Sequence, residues 1–216
     1  MTERLSRIFA EIPPCKTFAD IACDHGYIAC EMLYSGKCER AVVSDISEKS
    51  LEKARTLLAP YIKDGRAQSF VSDGFDNVPK TEAALIAGIG GTLMAEILKR
   101  AEREDKLPDT LVLQPMKHAN KVRVFAVEIG YRIEKDFTVK AEGQFYDIIV
   151  LKKGKDKLSK EETEFGRTNI TERPLAFREK MREEIGKLLS YTESETMTDK
   201  TRAIMLKKAE RLKKYV

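Results

Sequence analysis

No run of about 18 uncharged apolar residues occurs in this 216-residue chain, which argues against a membrane-spanning helix. Nor does the start carry a basic segment followed by an apolar block. MTERLSRIFAEIPP is charged and amphipathic, so it does not read as a secretion signal, and a cytoplasmic protein is expected. Histidine is scarce, with two in all, and the four cysteines at 15, 23, 30 and 38 contain no C-x-x-C pair. A metal site has too few ligands to draw on, so free thiols and no metal are the expectation. The G-x-G-x-x-G fingerprint is missing too, which counts against a dinucleotide site because pyrophosphate approach depends on those glycines. There is no internal repeat and no low-complexity tract.

What is present is ordinary soluble-protein composition, 42% hydrophobic and 34% charged, in a length that buries one core and leaves an appendage. The net charge of +4 is unevenly placed. Residues 154–216 carry 16 Lys and Arg against 12 Asp and Glu, while the first 153 are balanced at 23 of each. After position 199, Lys200, Arg202, Lys207, Lys208, Arg211, Lys213 and Lys214 face only Glu210. Such a block is either a solvated helix face or the electrostatic footprint of a polyanion binder.

Hydrophobic periodicity divides the chain in the same place. Thr2 can cap a first helix, TERLSRIFAEI, which Pro13-Pro14 ends. Short apolar runs then alternate with helical segments through TFADIAC, RAVVSD, RAQSFVSD, EAALIAGI and DTLVLQP, the pattern of a parallel sheet covered on both faces. YRIEKDFTVKA and QFYDIIVLKK are separated only by Glu142-Gly143, which requires an antiparallel hairpin. Units of β and α closed by a helix-free hairpin give the element order of the class I methyltransferase sheet: Rossmann-like, seven-stranded and mostly parallel. From Gly154 onward the pattern is helical. Leu175, Phe177, Met181, Ile185, Leu188 and Leu189, then Ile204, Leu206 and Leu212, are expected to meet in a helical hairpin joined at TESETMTD.

In an open α/β sheet, ligands gather beyond the carboxyl ends of the strands. ADIACDHGY follows the first strand and offers Asp20, Ala22, Cys23, Asp24, His25, Gly26 and Tyr27. Acidic residues suit a cation, such as the sulfonium and amino group of S-adenosylmethionine, and would repel a pyrophosphate. Asp45, with Ile46 after it, closes the second strand, where a carboxylate can accept both ribose hydroxyls. Asp73 and Gly74 follow the third, where Asp73 could take the exocyclic amine of an adenine with Phe75 or Phe70 near its face. Singly, each aspartate reads equally well as a cap or turn residue; three in register favour the cofactor. AGIGGTLM supplies Gly88, Ile89, Gly90 and Gly91, either to admit a flat base or only to turn the chain with Thr92 as cap. LQPM brings Gln114, Pro115 and Met116 to the same rim.

These stretches, with EGQFYDIIV and in this order over residues 4–153, resemble the bacterial tRNA (adenine-22-N(1))-methyltransferases, and the tail resembles that family's coiled-coil domain. The resemblance implies methyl transfer from S-adenosylmethionine to N(1) of an adenine in the D-arm region of tRNA. It implies a cofactor-binding domain at 1–153 and a tRNA-binding extension at 154–216. The family usually has glycine where Ala22 stands, proline at Ala29, methionine at Ile89 and asparagine at Met116. Asp24, Tyr27 and Gln114 are the expected catalytic residues: Asp24 would either stabilise the charge that develops on the methylated ring or only bind the cofactor's amino group while positioning does the catalysis, Tyr27 would stack or position the base, and His25 would orient the loop. Ile89, Gly90, Gly91, Pro115, Lys207, Lys208 and Arg211 would meet the substrate. A methyltransferase for another RNA, a protein or a small molecule, a nicotinamide oxidoreductase and a non-catalytic RNA-binding protein are the alternatives. For the tail, a plain dimerisation hairpin is the other reading, and oligomeric state is left open.

Overall fold

The computed structural model describes residues 1–194 and 196–216. Seven strands form one sheet: β1 (Cys15–Ile21), β2 (Cys38–Asp45), β3 (Ala67–Val71), β4 (Ala83–Ile89), β5 (Thr110–Pro115), β6 (Tyr131–Ala141) and β7 (Gln144–Lys153), in the order β3-β2-β1-β4-β5-β7-β6. Strand β7 runs antiparallel to both neighbours, and the rest of the pairs are parallel. The sequence expectation of a mostly parallel seven-stranded sheet is met. Glu142 and Gly143 both take positive φ, 47° and 73°, the left-handed pair that a two-residue hairpin turn demands.

Because side chains alternate along a strand, neighbouring residues feed opposite cores. Leu85 packs with Ile8, Phe18, Met32 and Leu51, whereas Ile86 packs with Ile21, Leu98, Leu113 and Val122. The first face is covered by α1 (Glu3–Glu11), α2 (Tyr27–Tyr34) and α3 (Glu48–Lys63), the second by α4 (Gly91–Arg103) and α5 (Ala119–Glu128). Thr2 caps α1, its hydroxyl accepting from Leu5 N at 3.3 Å. Thr92 does not cap α4 as the sequence suggests: Gly90 stands at that position and Thr92 lies inside the first turn. The chain builds outward from β1 through β2 and β3, then crosses back to β4 and β5, so a topological switch point lies between β1 and β4.

Among the described residues the tail forms four helices, where a helical hairpin was expected: α6 (Lys160–Phe165), α7 (Arg167–Glu172), α8 (Leu175–Thr192) and α9 (Asp199–Lys213). The two short ones are fastened to the sheet by a buried polar network. Arg123 Nε donates to Asp136 Oδ2 at 2.9 Å with both side chains fully buried. Asp136 Oδ1 accepts from Thr168 N, and Thr138 N donates to Asn169 Oδ1.

Helices α8 and α9 run antiparallel, Phe177 meeting Tyr215 at one end and Arg202 reaching the Thr192 carbonyl at the other. Phe177, Met181, Leu188, Ala209, Leu212 and Tyr215 form their core, with Ile185 and Met205 partly buried beside it. Leu175, Leu189, Ile204 and Leu206 are exposed, contrary to expectation, because the inner line of α9 runs through 205, 209 and 212. In the joint expected at TESETMTD, the helices end at Thr192 and resume at Asp199, and Glu195 lies outside the described residues.

Candidate functional site

The strand tips on either side of the switch point enclose a cavity of about 730 Å³. Its walls include Asp20, Asp24, Asp45 and Asp73, four carboxylates from three successive strand ends. Ala22, Cys23, His25 and Tyr27 line it as well, as do Ile46, Gly74, Gly88 and Ile89.

The loop after β1 earns its shape from backbone conformation. Ala22, Asp24 and Gly26 alternate into the left-handed region with φ of 56°, 49° and 69°, which turns successive amides toward one side of the chain. Two main-chain bonds hold it, Cys23 N to Ser44 O and Gly26 N to Cys23 O, both at 3.0 Å. Gly26 has no room for a side chain: a Cβ there would come within 3.1 Å of Ala54 Cβ on α3. It is buried beneath the loop and shapes the cavity without lining it.

Each carboxylate is held differently. Asp20 is 5% exposed, and burial pushes its pKa up to about 7, with the Ala29 amide pulling it down and Asp45 adding to the rise. A bound cation would restore the charge that burial suppresses. Asp45 accepts from Asp24 N at 3.2 Å and from Ser47 N at 2.9 Å, one bond on each oxygen. Asp73 Oδ1 sits 2.6 Å from Arg100 Nη2. Next to it Gly74, at φ 67°, packs so closely on α4 that a Cβ would fall 2.5 Å from Ile97 Cγ2. The Ser44 and Ser72 hydroxyls both donate to the Gly74 carbonyl. Asp24 is largely exposed, with His25 Nδ1 at 2.7 Å from one oxygen and Lys53 Nζ at 3.6 Å from the other. The His25 ring in turn stacks on Tyr27, centroids 5.2 Å apart and planes 8° from parallel.

Other expected site residues fall elsewhere. Gln114 is fully buried and its amide oxygen accepts from Arg4 Nη1 at 2.6 Å, so it does not present an amide to the open rim. Gly91 is needed for packing, since a Cβ would lie 2.6 Å from the Lys117 carbonyl. Gly90 caps α4, and Pro115 is buried at the end of β5; neither lines the cavity. Phe75 is buried in the core and Phe70 packs against that core. The apolar residues that line the cavity instead include Ile46, Leu93 and Ile97. Lys207, Lys208 and Arg211 lie on α9, where Lys208 pairs with Glu184 at 3.0 Å and Arg211 makes two bonds to Glu164.

Sequence reasoning missed Arg4, which enters the cavity wall from the first turn of α1. No local signal marks it, because its position depends on contacts 110 and 138 residues away. All four cysteines are free, and burial pushes the Cys15 thiol up to about 11 and that of Cys38 to about 12. No cluster of three potential metal-ligating side chains occurs among the described residues, and no helix there is long and apolar enough to cross a membrane.

Comparison with known proteins agrees with this geometry. A Bacillus subtilis (strain 168) protein named tRNA (adenine(22)-N(1))-methyltransferase is 26% identical over 156 residues, covering 71% of this chain and 66% of that one, so the match spans about two thirds of that relative's length. The M. capricolum TrmK structure with S-adenosyl-homocysteine superposes with a TM-score of 0.85 at 21% identity, covering 100% of this chain and 97% of the other. The B. subtilis m1A22 tRNA methyltransferase TrmK superposes with a TM-score of 0.81 at 23% identity, with the same coverage. At such identities these two likenesses speak for the fold. The methyltransferase domain family matches residues 1–149. Since that stretch contains β1 to β6, most of β7 and every loop that shapes the cavity, the chain belongs to this methyltransferase domain family.

Proposed function

We propose that the chain is an S-adenosylmethionine-dependent methyltransferase that methylates N(1) of an adenine, position 22, in the D-arm region of tRNA. The observation that carries this reading is the convergence of Asp20, Asp24, Asp45 and Asp73 on one cavity. A dinucleotide pyrophosphate would meet four carboxylates there, whereas a cationic methyl donor is favoured by them. The substrate half of the reading comes from the named activity of the B. subtilis relative.

The residues present fit that cofactor. Asp20, buried and held near neutrality, would pair with the donor's amino group. Each oxygen of Asp45 already takes one main-chain N–H and keeps a lone pair for a ribose hydroxyl. The free oxygen of Asp73 would accept from the adenine amine, with Ile46 and Ile97 against the ring. When bound, the cofactor supplies an electrophilic methyl group on a sulfonium centre.

The chain's own contribution to chemistry is placement and charge. Methylation at N(1) leaves the target ring cationic until its exocyclic amine loses a proton. Asp24, exposed at the cavity edge, stabilises that charge, an electrostatic effect aimed at the transition state. His25 fixes the Asp24 carboxylate, and Tyr27, half-exposed and stacked on His25, offers its outer surface to the incoming base. A base within folded RNA has to be exposed or flipped out to reach this point. The hairpin α8–α9 provides a second tRNA contact on this reading, through Lys207 and through Lys208 and Arg211 where phosphate displaces their carboxylate partners. A cut after Glu172 removes the hairpin together with the Lys180 partner of Asp147 and the hairpin core against which Phe165 and Ile170 pack.

Incubating a tRNA transcript with the protein and methyl-labelled cofactor, then resolving the nucleosides by mass spectrometry, tests the proposal. Label in 1-methyladenosine is expected. Label in another nucleoside refutes the target, and no label in tRNA refutes the activity. Asp24→Ala is expected to lower turnover about a hundredfold at saturating cofactor; turnover near the wild-type rate would assign Asp24 to binding alone.

A further inference from the structure

The surplus positive charge of the tail is largely spent inside the protein. Lys208 is paired with Glu184, Arg211 with Glu164, Lys213 with Glu210 and Lys214 with Glu161, while Arg202 holds the carbonyls of Thr192 and Ser194. A phosphate arriving at those side chains has to displace a partner.

On α1 and just beyond β5 the situation is reversed. Arg4 and Arg7 on α1, and Lys117 and Lys121 beyond β5, have no carboxylate within salt-bridge distance among the described residues, and all but Arg4 are exposed. Arg4 lines the cavity itself. Its guanidinium is fixed in place by the bond from Nη1 to Gln114 Oε1 at 2.6 Å, and lies 5.5 Å from the centroid of the Tyr146 ring. The bond from its main-chain N–H to Glu142 Oε1 at 3.3 Å ties the start of α1 to the β6–β7 turn. Of the N–H donors in the guanidinium fork, only one is used in this way. Gln114 Nε2 reaches Met116 Sδ at 3.6 Å, and the Lys117 carbonyl accepts from Gly91 N at 2.9 Å. Between them lies Met116, 49% exposed, a neutral apolar surface suited to the face of a base.

Resting on the reading above, we propose that Arg4 and Lys117, with Arg7 and Lys121 behind them, form the phosphate-binding rim of the site. Arg4 takes the RNA phosphate next to the base admitted to the cavity. Gln114 acts through Arg4 as its positioning residue. A fixed, partly desolvated guanidinium without a competing carboxylate gives up little when it binds phosphate, and its planar fork matches the phosphate oxygens. This division of labour places the acidic wall against the cationic cofactor and the basic rim against the polyanion.

The test measures binding of an unmodified tRNA transcript by filter retention across a salt series, together with titration of S-adenosylhomocysteine. Arg4→Met is expected to weaken tRNA binding about tenfold at 0.1 M salt and to lower the slope of log K against log salt by about one. Arg4→Lys should recover part of the affinity. The double variant Lys117→Glu/Lys121→Glu, at two exposed positions, should weaken tRNA binding by at least about tenfold. Affinity for S-adenosylhomocysteine should be unchanged in the double variant, whose two side chains lie outside the cavity lining. The proposal is overturned if the double variant binds tRNA within twofold of wild type, if Lys207→Glu costs more than the rim pair, or if Arg4→Met loses S-adenosylhomocysteine and tRNA in parallel. Salt-dependent tRNA binding that needs the rim, with no methyl transfer by the unaltered protein, would support the rim and refute the enzymatic reading.

Discussion

The main-chain N–H of Asp24 donates to Asp45 Oδ2 at 3.2 Å, so the loop that closes β1 is fastened to the tip of β2 by a carboxylate that also faces the cavity. Asp45 therefore anchors the loop and, on the proposed reading, also serves as the ribose acceptor. Asp45→Ala removes both. It is expected to raise the dissociation constant for S-adenosylhomocysteine at least about thirtyfold and to cost about 1–2 kcal/mol of stability, read by calorimetry and urea unfolding. An unchanged dissociation constant would detach Asp45 from the cofactor.

In the same loop, Ala22 occupies φ 56°, where a Cβ is strained by about 1–2 kcal/mol relative to glycine. Glycine loses more chain entropy on folding, which offsets part of that gain. Ala22→Gly is expected to stabilise the protein by up to about 1 kcal/mol, seen as a higher urea midpoint with an unchanged m-value. A lower midpoint would show that the alanine methyl makes a packing contribution larger than the strain.

Asp20 gives the site a pH dependence of definite sign. Its folded pKa of about 7, above the ordinary 3.8, means that the unfolded chain ionises first. Its contribution to stability is thus most favourable below the unfolded value and is lost as pH rises toward the folded one. A cation bound beside Asp20 favours the ionised form, so cofactor binding releases a proton near neutrality. Affinity for S-adenosylmethionine should rise from pH 6 to pH 7.5, and Asp20→Asn should flatten that profile while raising the melting temperature of the free protein at pH 8. A profile that rises equally in the variant would place the titrating group elsewhere.

The buried pair Arg123–Asp136 joins α5 and β6 beneath α6 and α7. Arg123→Met leaves the Asp136 carboxylate without its partner in a site closed to water, and breaking such a pair costs about 3–5 kcal/mol. Thermal unfolding should show a large fall in midpoint for that single variant, with much of the loss recovered on adding Asp136→Leu. Failure of the second change to recover stability would indicate that Asp136 is held chiefly by Thr168.

The sheet was legible because its signal is local. Short apolar runs, their spacing and the two-residue gap at Glu142-Gly143 each fix an element without reference to the rest of the chain. So were the three acidic strand tips, since a strand end followed by a helix places its next residues at the sheet's carboxyl edge whatever the tertiary detail. Other features were decided at long range. Gln114 sits at that same edge but is sealed over by Arg4, which arrives from the first turn of the protein. Phe75 follows an acidic tip, yet Gly74 turns it into the core. On α9 the helical period was evident but its phase was not, because Phe165 and Phe177 draw Leu212 and Tyr215 inward and leave Ile204 and Leu206 outside.

On the proposed reading, a cavity walled by four carboxylates selects a cationic adenosyl methyl donor over a dinucleotide. Calorimetric titration of the purified protein with S-adenosylmethionine and, separately, with NAD at pH 7.5 tests it most directly. Saturable binding of one S-adenosylmethionine per chain and no saturable heat with NAD are expected. Saturable NAD binding of equal or greater strength, or no binding of S-adenosylmethionine, would contradict it.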